Sequence, residues 1–448
     1  MIARLFATPH RPRLLLFAFG DFAFNLYWQS IILFLLFYYT DTLDLPVATA
    51  AAIYTLATVW DGIANFLVGA MTDRREPGRG YGMVLMLGSA PLGLACMLAY
   101  APILLRGPWG IALVFLGHLL FRTAYAAINV PYLAMSARIS MDSRDRAFVA
   151  GMRMLFGTMA WVLVARGTIP IGTWLTSGDN GTSAYFGAAA FFAVVGTAIL
   201  MLVGATYRED TAPPPVAHAS LRASITSLIA NRAFVTLNLA MMAMIVAVTI
   251  LNKSVLYYFK YSLNDDHGGQ AALAWMGLIS VVAVPAWMVL RRHLGTRSLW
   301  FLAAGGSMAG LGGFAVMGIS TSNMMVLFLV AMQAMFVGLH FVFWAMLPNT
   351  IEFGERMTGM RVEGSVFGLA ALLQRLAIGI ATTILGTAYN QAGYVANVLQ
   401  RPDTLLAMRL TVTLVPMAFL ALSCVMMLLN PLGHGAHARI VEDLAGED

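Results

Sequence analysis

The chain has 448 residues, 60% of them hydrophobic and 11% charged, with a formal net charge of +6 and a mean hydropathy of +0.77. Soluble globular domains carry about 25% charged residues, so the composition excludes a soluble enzyme or binding module and predicts a polytopic membrane protein with the lipid bilayer as its partner. The two cysteines, Cys96 and Cys424, both sit in apolar stretches, which excludes a disulfide framework or a cysteine-based metal cluster.

In chain order, apolar runs long enough to cross a bilayer predict twelve spans near 14–40, 48–72, 82–104, 109–137, 147–175, 184–206, 225–259, 269–290, 298–318, 324–351, 364–390 and 405–431. The expected fold class is therefore all-α. The start, MIARLFATPHRPR, is short and basic and leads into a full-length span, so no cleaved signal is expected. Placing both termini in the cytoplasm puts 18 Lys and Arg residues on that face, among them Arg74, Arg75, Arg79, Arg291 and Arg297. Only Arg106, Lys260 and Arg401 fall in the outer loops. This asymmetry orients the chain by the positive-inside rule and accounts for the basic charge with no nucleic acid partner.

The sixth connection is the longest polar segment and contains Pro213-Pro214-Pro215. It predicts a six-helix bundle over 1–207, an extended cytoplasmic linker over 208–224, a second six-helix bundle over 225–432 and a cytoplasmic tail over 433–448. The loops DRREPGRG after span 2 and RRHLGTR after span 8 correspond across that divide. Two similar six-span halves suggest a carrier whose halves rock about a central site.

Charges inside the spans are the candidate functional residues, because ionised groups persist at that depth only beside a partner or a watery cavity. In span 1, Asp21 and Asn25 share a face by their four-residue spacing, with Trp28 and Gln29 nearby. Arg153 in span 5 reaches a similar depth, so Asp21 and Arg153 are expected to pair. Such a pair suits a hydroxyl-rich solute, which can donate to carboxylate and accept from guanidinium; a purely structural ion pair is the alternative. Asp61 lies about 18 Å along span 2 from Asp73 at about 1.5 Å per residue, near the middle of a hydrocarbon core about 30 Å thick. It shares a face with Asn65 and can bind a hard cation, carry a proton, or only tie helices together.

Span 4 offers His118, Arg122 and Asn129, followed by Pro131, which can open a helix beside a cavity. Arg122 and Arg166 are expected to snorkel toward the outer face, and His118 to be a helix contact rather than a proton relay. In the second half, snorkelling and burial are equally open for Lys253, and His340 and Trp344 share a face of span 10. Arg375 lies about 21 Å beyond Arg361 and needs an anionic partner, for which Asp61 is the candidate. Asp61, Asn65 and Arg375 form the expected cation-coupling set. With no phosphate-binding loop, nucleophile elbow or His-rich zinc motif, no catalytic residue, metal site or cofactor is expected.

The segments GDFAFNLYWQS…FYYTD (20–41), WDGIANFLVG…DRR (60–75), NVPYLAMSARISMDSRDRAFVAGMR (129–153), LPNTIEFGERMTGMRVEGSVFG (347–368) and GYVANVLQRPDTLLAMRL (393–410) resemble the glycoside–pentoside–hexuronide:cation symporters. These are the melibiose-permease-like branch of the major facilitator superfamily. The resemblance implies a twelve-helix alternating-access carrier moving sugars or glycosides with Na⁺, Li⁺ or H⁺. By position, Asp21 matches the family's sugar-binding acid, Arg153 its arginine partner and Asp61 the first acid of the cation site, while Arg375 stands at a lysine. Departures are Ala64 and Asn65 in the WDAxND pattern, Asn129 at the second sugar-site acid, Leu133 at an aromatic platform and Ala126 at a cation-site threonine. The lost platform argues against an α-galactoside.

One carboxylate with one amide makes a thin cage for Na⁺, so H⁺ is the expected coupling ion. The resulting expectation is a sugar or glycoside:H⁺ symporter of the inner membrane with substrate between Asp21, Asn25, Asn129, Arg153 and Trp344. A lipid or lysolipid transporter of the same fold and a non-transporting solute sensor are the alternatives.

Overall fold

A computed structural model describes residues 11–73, 80–102, 107–139, 143–178, 181–207, 221–358 and 363–432. The basic loop at 74–79, most of the expected linker (208–220) and the expected tail (433–448) lie outside the described residues. The described chain is helical, and 12 of its helices are long and apolar enough to cross a membrane, the number and class expected from the apolar runs.

The chain forms two compact units, Met1–Pro215 with Val395–Asn397, and Val216–Tyr394 with Val398–Asp448. The first holds α1 (Arg11–Phe37), α2 (Val47–Asp73), α3 (Tyr81–Ala99), α4 (Pro108–Arg138), α5 (Ser143–Leu175) and α6 (Thr182–Thr206). The second holds α7 (Leu221–Ala230), α8 (Arg232–Tyr257), α9 (Gly268–Leu294), α10 (Thr296–Met317), α11 (Ser322–Met346), α12 (Asn349–Thr358), α13 (Glu363–Gln391) and α14 (Pro402–Leu428).

Inside the first unit α1 packs on α5 and α6, α2 on α4, and α3 on α4 and α6. The second unit repeats the pattern: α8 packs on α13 and α14, α9 on α11, and α10 on α11 and α14. The leading span of each unit is its innermost, with 72% of the apolar window buried in both Arg11–Thr42 and Arg232–Ser262. Without a hydrophobic drive between helices in lipid, close backbone approach and side-chain hydrogen bonds supply the cohesion. Gly82 of α3 meets the Gly204 carbonyl of α6 so closely that a Cβ there would collide with backbone.

The repeat extends to single residues. α1 and α8 each end in one turn of π-helix, Tyr38–Thr42 and Tyr258–Ser262. Leu43 N then donates to Tyr38 O at 2.9 Å and Leu45 N to Tyr39 O at 3.0 Å; Leu263 N donates to Tyr258 O at 3.2 Å and Asp265 N to Phe259 O at 2.9 Å. Both turns close on a left-handed residue, Asp44 at φ 54° and Asn264 at φ 51°. Asp and Asn are the non-glycine residues that tolerate this region best.

Two predicted spans are broken in the structure. The run read as one span over 225–259 divides at Asn231, which leaves helical geometry at φ −76° and ψ 93°. Its side chain accepts from Phe234 N at 3.0 Å and donates to Thr350 O at 2.7 Å. The run read as 324–351 divides after Met346, at Pro348, whose ring and missing N–H do not fit a helix interior. Apolar residues on either side carried both readings across these breaks: Leu228 and Ile229 before Asn231 with Phe234 and Val235 after it, and Met346 and Leu347 before Pro348 with Ile351 after it.

Candidate functional site

In the first unit, α1 carries a polar ladder at four-residue spacing, which stacks side chains one turn apart. Asn25 Nδ2 donates to Asp21 O at 2.8 Å and to Asp21 Oδ2 at 3.4 Å, and Gln29 Nε2 donates to Asn25 Oδ1 at 3.0 Å. From α5, Arg153 places Nε at 3.1 Å and Nη2 at 3.0 Å from Asp21 Oδ1. The guanidinium lies over the Tyr132 ring, 5.3 Å from its centroid. Tyr132 is itself fixed by donating to Phe17 O at 2.8 Å, and it fits beside α1 because residue 20 is glycine: a Cβ there would lie 2.9 Å from the ring. Gly157, one turn beyond Arg153, lets α5 come close to α1 beside Asn25 and Asp21: a Cβ there would lie 3.2 Å from Asn25 Nδ2. The two charged side chains remain 17% and 20% exposed, so a solute reaching this face can exchange hydrogen bonds with both.

A second cluster lies deeper. Asp61 on α2 and Arg122 on α4 are both fully buried, with Arg122 Nη1 3.5 Å from Asp61 Oδ2. Asn65 Nδ2 donates to Asp61 O at 2.7 Å and to Asp61 Oδ1 at 3.0 Å. Arg122 Nε donates to His118 Nε2 at 3.1 Å, and Nη2 reaches Thr58 Oγ1 at 3.5 Å. The guanidinium carbon stands 4.9 Å from the Trp28 ring and 5.6 Å from the Tyr54 ring, an arrangement in which the ring quadrupoles attract the cation.

The structure brings Asp21, Asn25 and Arg153 together, and Asp61 with Asn65, as expected. Asn129 is half-buried on α4, outside the hydrogen-bonded set around Asp21 among the described residues. Trp344, 48% exposed, and the half-buried Arg375 belong to the second unit. Arg122 departs from expectation. It does not snorkel: a long side chain that could reach the interface instead points inward, because Asp61 and two aromatic faces compensate the buried charge. The Asp61 charge is thus met within its own unit and does not require Arg375. His118 is a helix contact, edge-on to Tyr54 at 5.2 Å, and also orients Arg122. Lys253 is buried, at 6% exposure. The spacing that could have revealed the Arg122 site was present: His118 and Arg122 are four apart, and Tyr54, Thr58, Asp61 and Asn65 fall on one helical stripe.

Comparison with known proteins gives the same class. A protein of Salmonella typhimurium provisionally named a sulfoquinovose importer is 28% identical over 448 residues, covering 95% of this chain and 91% of that protein. The glucuronide carrier protein homologue of Escherichia coli is 26% identical over 440 residues, covering 96% and 94%. The crystal structure of a bacterial homologue of the human lysosomal transporter Spinster matches with a TM-score of 0.67 at 12% identity, over 98% of this chain and 99% of that one, a likeness of fold alone. The profile of the family described as MFS/sugar transport protein matches residues 16–434. The chain is therefore a multi-pass membrane transporter rather than an enzyme, and it belongs to the MFS/sugar transport protein family.

Proposed function

We propose that the protein is a secondary active carrier that moves a sugar or glycoside together with a proton by alternating access. The observation that carries this reading is the accessible Asp21–Arg153 pair with its Asn25–Gln29 ladder. Carboxylate, guanidinium and amide groups there offer acceptors and donors to adjacent hydroxyls. Two relatives are named for a glucuronide and for sulfoquinovose, sugars that carry an acid group, and Arg153 suits such a group as well as neutral hydroxyls.

The geometry of Asp61 favours a proton. The bond from Asn65 Nδ2 to the Asp61 carbonyl fixes the amide with its nitrogen toward the carboxylate, and the other carboxylate oxygen faces a guanidinium. Both neighbours are donors, whereas a hard metal cation wants several oxygen ligands. The basic loops support an inner-membrane location with both termini cytoplasmic.

The test is uptake of a labelled panel of neutral glycosides and hexuronides into proteoliposomes under an imposed proton gradient and, separately, a sodium gradient. Accumulation under the proton gradient alone is expected, abolished by Asp21→Asn and by Arg153→Gln. Accumulation under sodium alone would replace the coupling ion, and no movement of any sugar under either gradient would overturn the reading.

A further inference from the structure

We infer that Arg122 determines which ion the carrier accepts: its guanidinium is a tethered cation occupying the place beside Asp61 that an alkali-metal ion would otherwise take. The inference rests on the reading of Asp61 as the coupling acid.

Three helices hold the guanidinium there. α2 supplies Asp61 Oδ2 and Thr58 Oγ1, each 3.5 Å from an Arg122 nitrogen. The Thr58 hydroxyl spends its proton on Tyr54 O at 2.8 Å, which turns its lone pairs toward Arg122. α4 supplies His118 Nε2, an acceptor for Arg122 Nε. α1 supplies Trp28, whose ring centroid lies 4.9 Å from the guanidinium carbon, and Tyr54 of α2 adds a second ring at 5.6 Å. The cation is therefore surrounded by acceptors and aromatic rings from three helices, with no exposed surface.

Room and ligands decide the consequence. An arginine does not lose its proton in a protein, and a buried cation left without its counter-charge is costly. A metal ion approaching Asp61 would have to displace Arg122 or stand beside it as a second buried positive charge. A proton also adds one positive charge beside Arg122, but it needs neither room nor oxygen ligands, so it can reach the carboxylate with the guanidinium in place. Removing the guanidinium reverses the balance: it leaves a buried carboxylate beside the Thr58 hydroxyl and the Asn65 amide, with the vacated volume between them. The carboxylate and Thr58 Oγ1 supply oxygen ligands there and water entering the vacated volume supplies the rest, while the Asn65 nitrogen stays on the Asp61 carbonyl. Oxygen ligands around a net negative charge are what Na⁺ or Li⁺ requires.

The experiment uses the purified full chain in detergent, following melting temperature and tryptophan fluorescence while NaCl or LiCl is titrated against choline chloride at constant ionic strength. Wild type is expected to respond no differently to Na⁺ or Li⁺ than to choline, and Arg122→Lys likewise. Arg122→Ala is expected to gain an upward melting shift with Na⁺ or Li⁺ and a saturable change in fluorescence, since a ligand that binds only the native state stabilises it in proportion to the logarithm of its concentration above Kd. Combining it with Asp61→Asn is expected to abolish the gain.

A metal-specific response of wild type that Asp61→Asn removes would overturn the inference, as would a folded Arg122→Ala protein that stays indifferent. Should Arg122→Ala fail to fold in choline, Arg122→Gln, which keeps bulk beside the Trp28 and Tyr54 rings, takes its place, and its indifference would overturn the inference equally. The titration needs no sugar, so a failure of sugar uptake and a failure of ion gain are read separately.

Discussion

Arg153 delivers two donors to a single oxygen of Asp21, which leaves the second oxygen to Asn25 and to whatever approaches from the open side. That division makes the space beside Asn25 decisive for recognition. Gly157 borders it: a Cβ there would lie 3.2 Å from Asn25 Nδ2 and 3.7 Å from Asp21 Oδ2, so the amide must give by a few tenths of an ångström. Gly157→Ala is therefore expected to weaken sugar affinity about tenfold, which corresponds to about 1.4 kcal/mol, with the maximal uptake rate changed much less. An unchanged apparent KM in proteoliposome uptake would remove Asn25 from the site. Asp21, Asn25, Arg153, Asp61 and Asn65 were legible in the sequence because opposite charges at matching depth and amides at four-residue spacing imply contact by themselves. Arg122 was not, because its position along α4 fits an interfacial arginine equally well, and only the packing of α1, α2 and α4 shows which way the side chain turns. Gly157 was illegible for a related reason, since only the packing of α5 on α1 shows how close its backbone comes to Asn25.

At the scale of elements, apolar length located the spans, but the polar residues that stop or bend them had to be seen in place. Asn231 is the clearest case. It caps α8 through Phe234 N and ties α12 through the Thr350 carbonyl. Asn231→Ala removes an N-cap worth about 0.5–2 kcal/mol and leaves a buried carbonyl unmet at a further cost of about 1–3 kcal/mol. A clear fall in melting temperature of the detergent-solubilised protein is expected, and Asn231→Asp should recover the capping part alone.

Asp265 plays a smaller role between the π-turn of α8 and the start of α9. The Ser322 hydroxyl donates to it at 2.6 Å and Gly268 N at 2.8 Å. The Ser322 bond first, then the backbone N–H groups of Gly268 and His267, hold its carboxyl below the ordinary 3.8. A folded value below the unfolded one means the contribution is complete above about pH 4 and is lost as pH falls through the folded value. The melting-temperature difference between wild type and Asp265→Asn should accordingly be constant from neutral pH to about pH 5 and vanish in stronger acid. It should be small, because the carboxyl is only half-buried. A difference that grew in acid would reverse the assignment.

Across the whole chain, the repeat is written far more plainly in structure than in sequence. The paired π-turns share only the outline YYTDTLD against YFKYSLN, and the matching helix-packing pattern leaves almost no common residues, since many apolar side chains satisfy the same contact in lipid. What the sequence did carry at this scale is the sign of its loops, and that yields a test of orientation. The turn between α5 and α6, TSGDNG over 176–181, has no basic residue, whereas the connection between α9 and α10 is flanked by Arg291 and Arg297. Ser177 in that turn and His293 in the last turn of α9 are both exposed. Cys96 is buried and Cys424 half-buried, so a Cys424→Ser background leaves little native thiol to react. In that background, Ser177→Cys should react with a membrane-impermeant maleimide on intact cells, and His293→Cys only after the membrane is permeabilised. The opposite pattern would place the arginine-rich connections outside, against the charge rule that orients short loops, and would move both termini to the far side of the membrane.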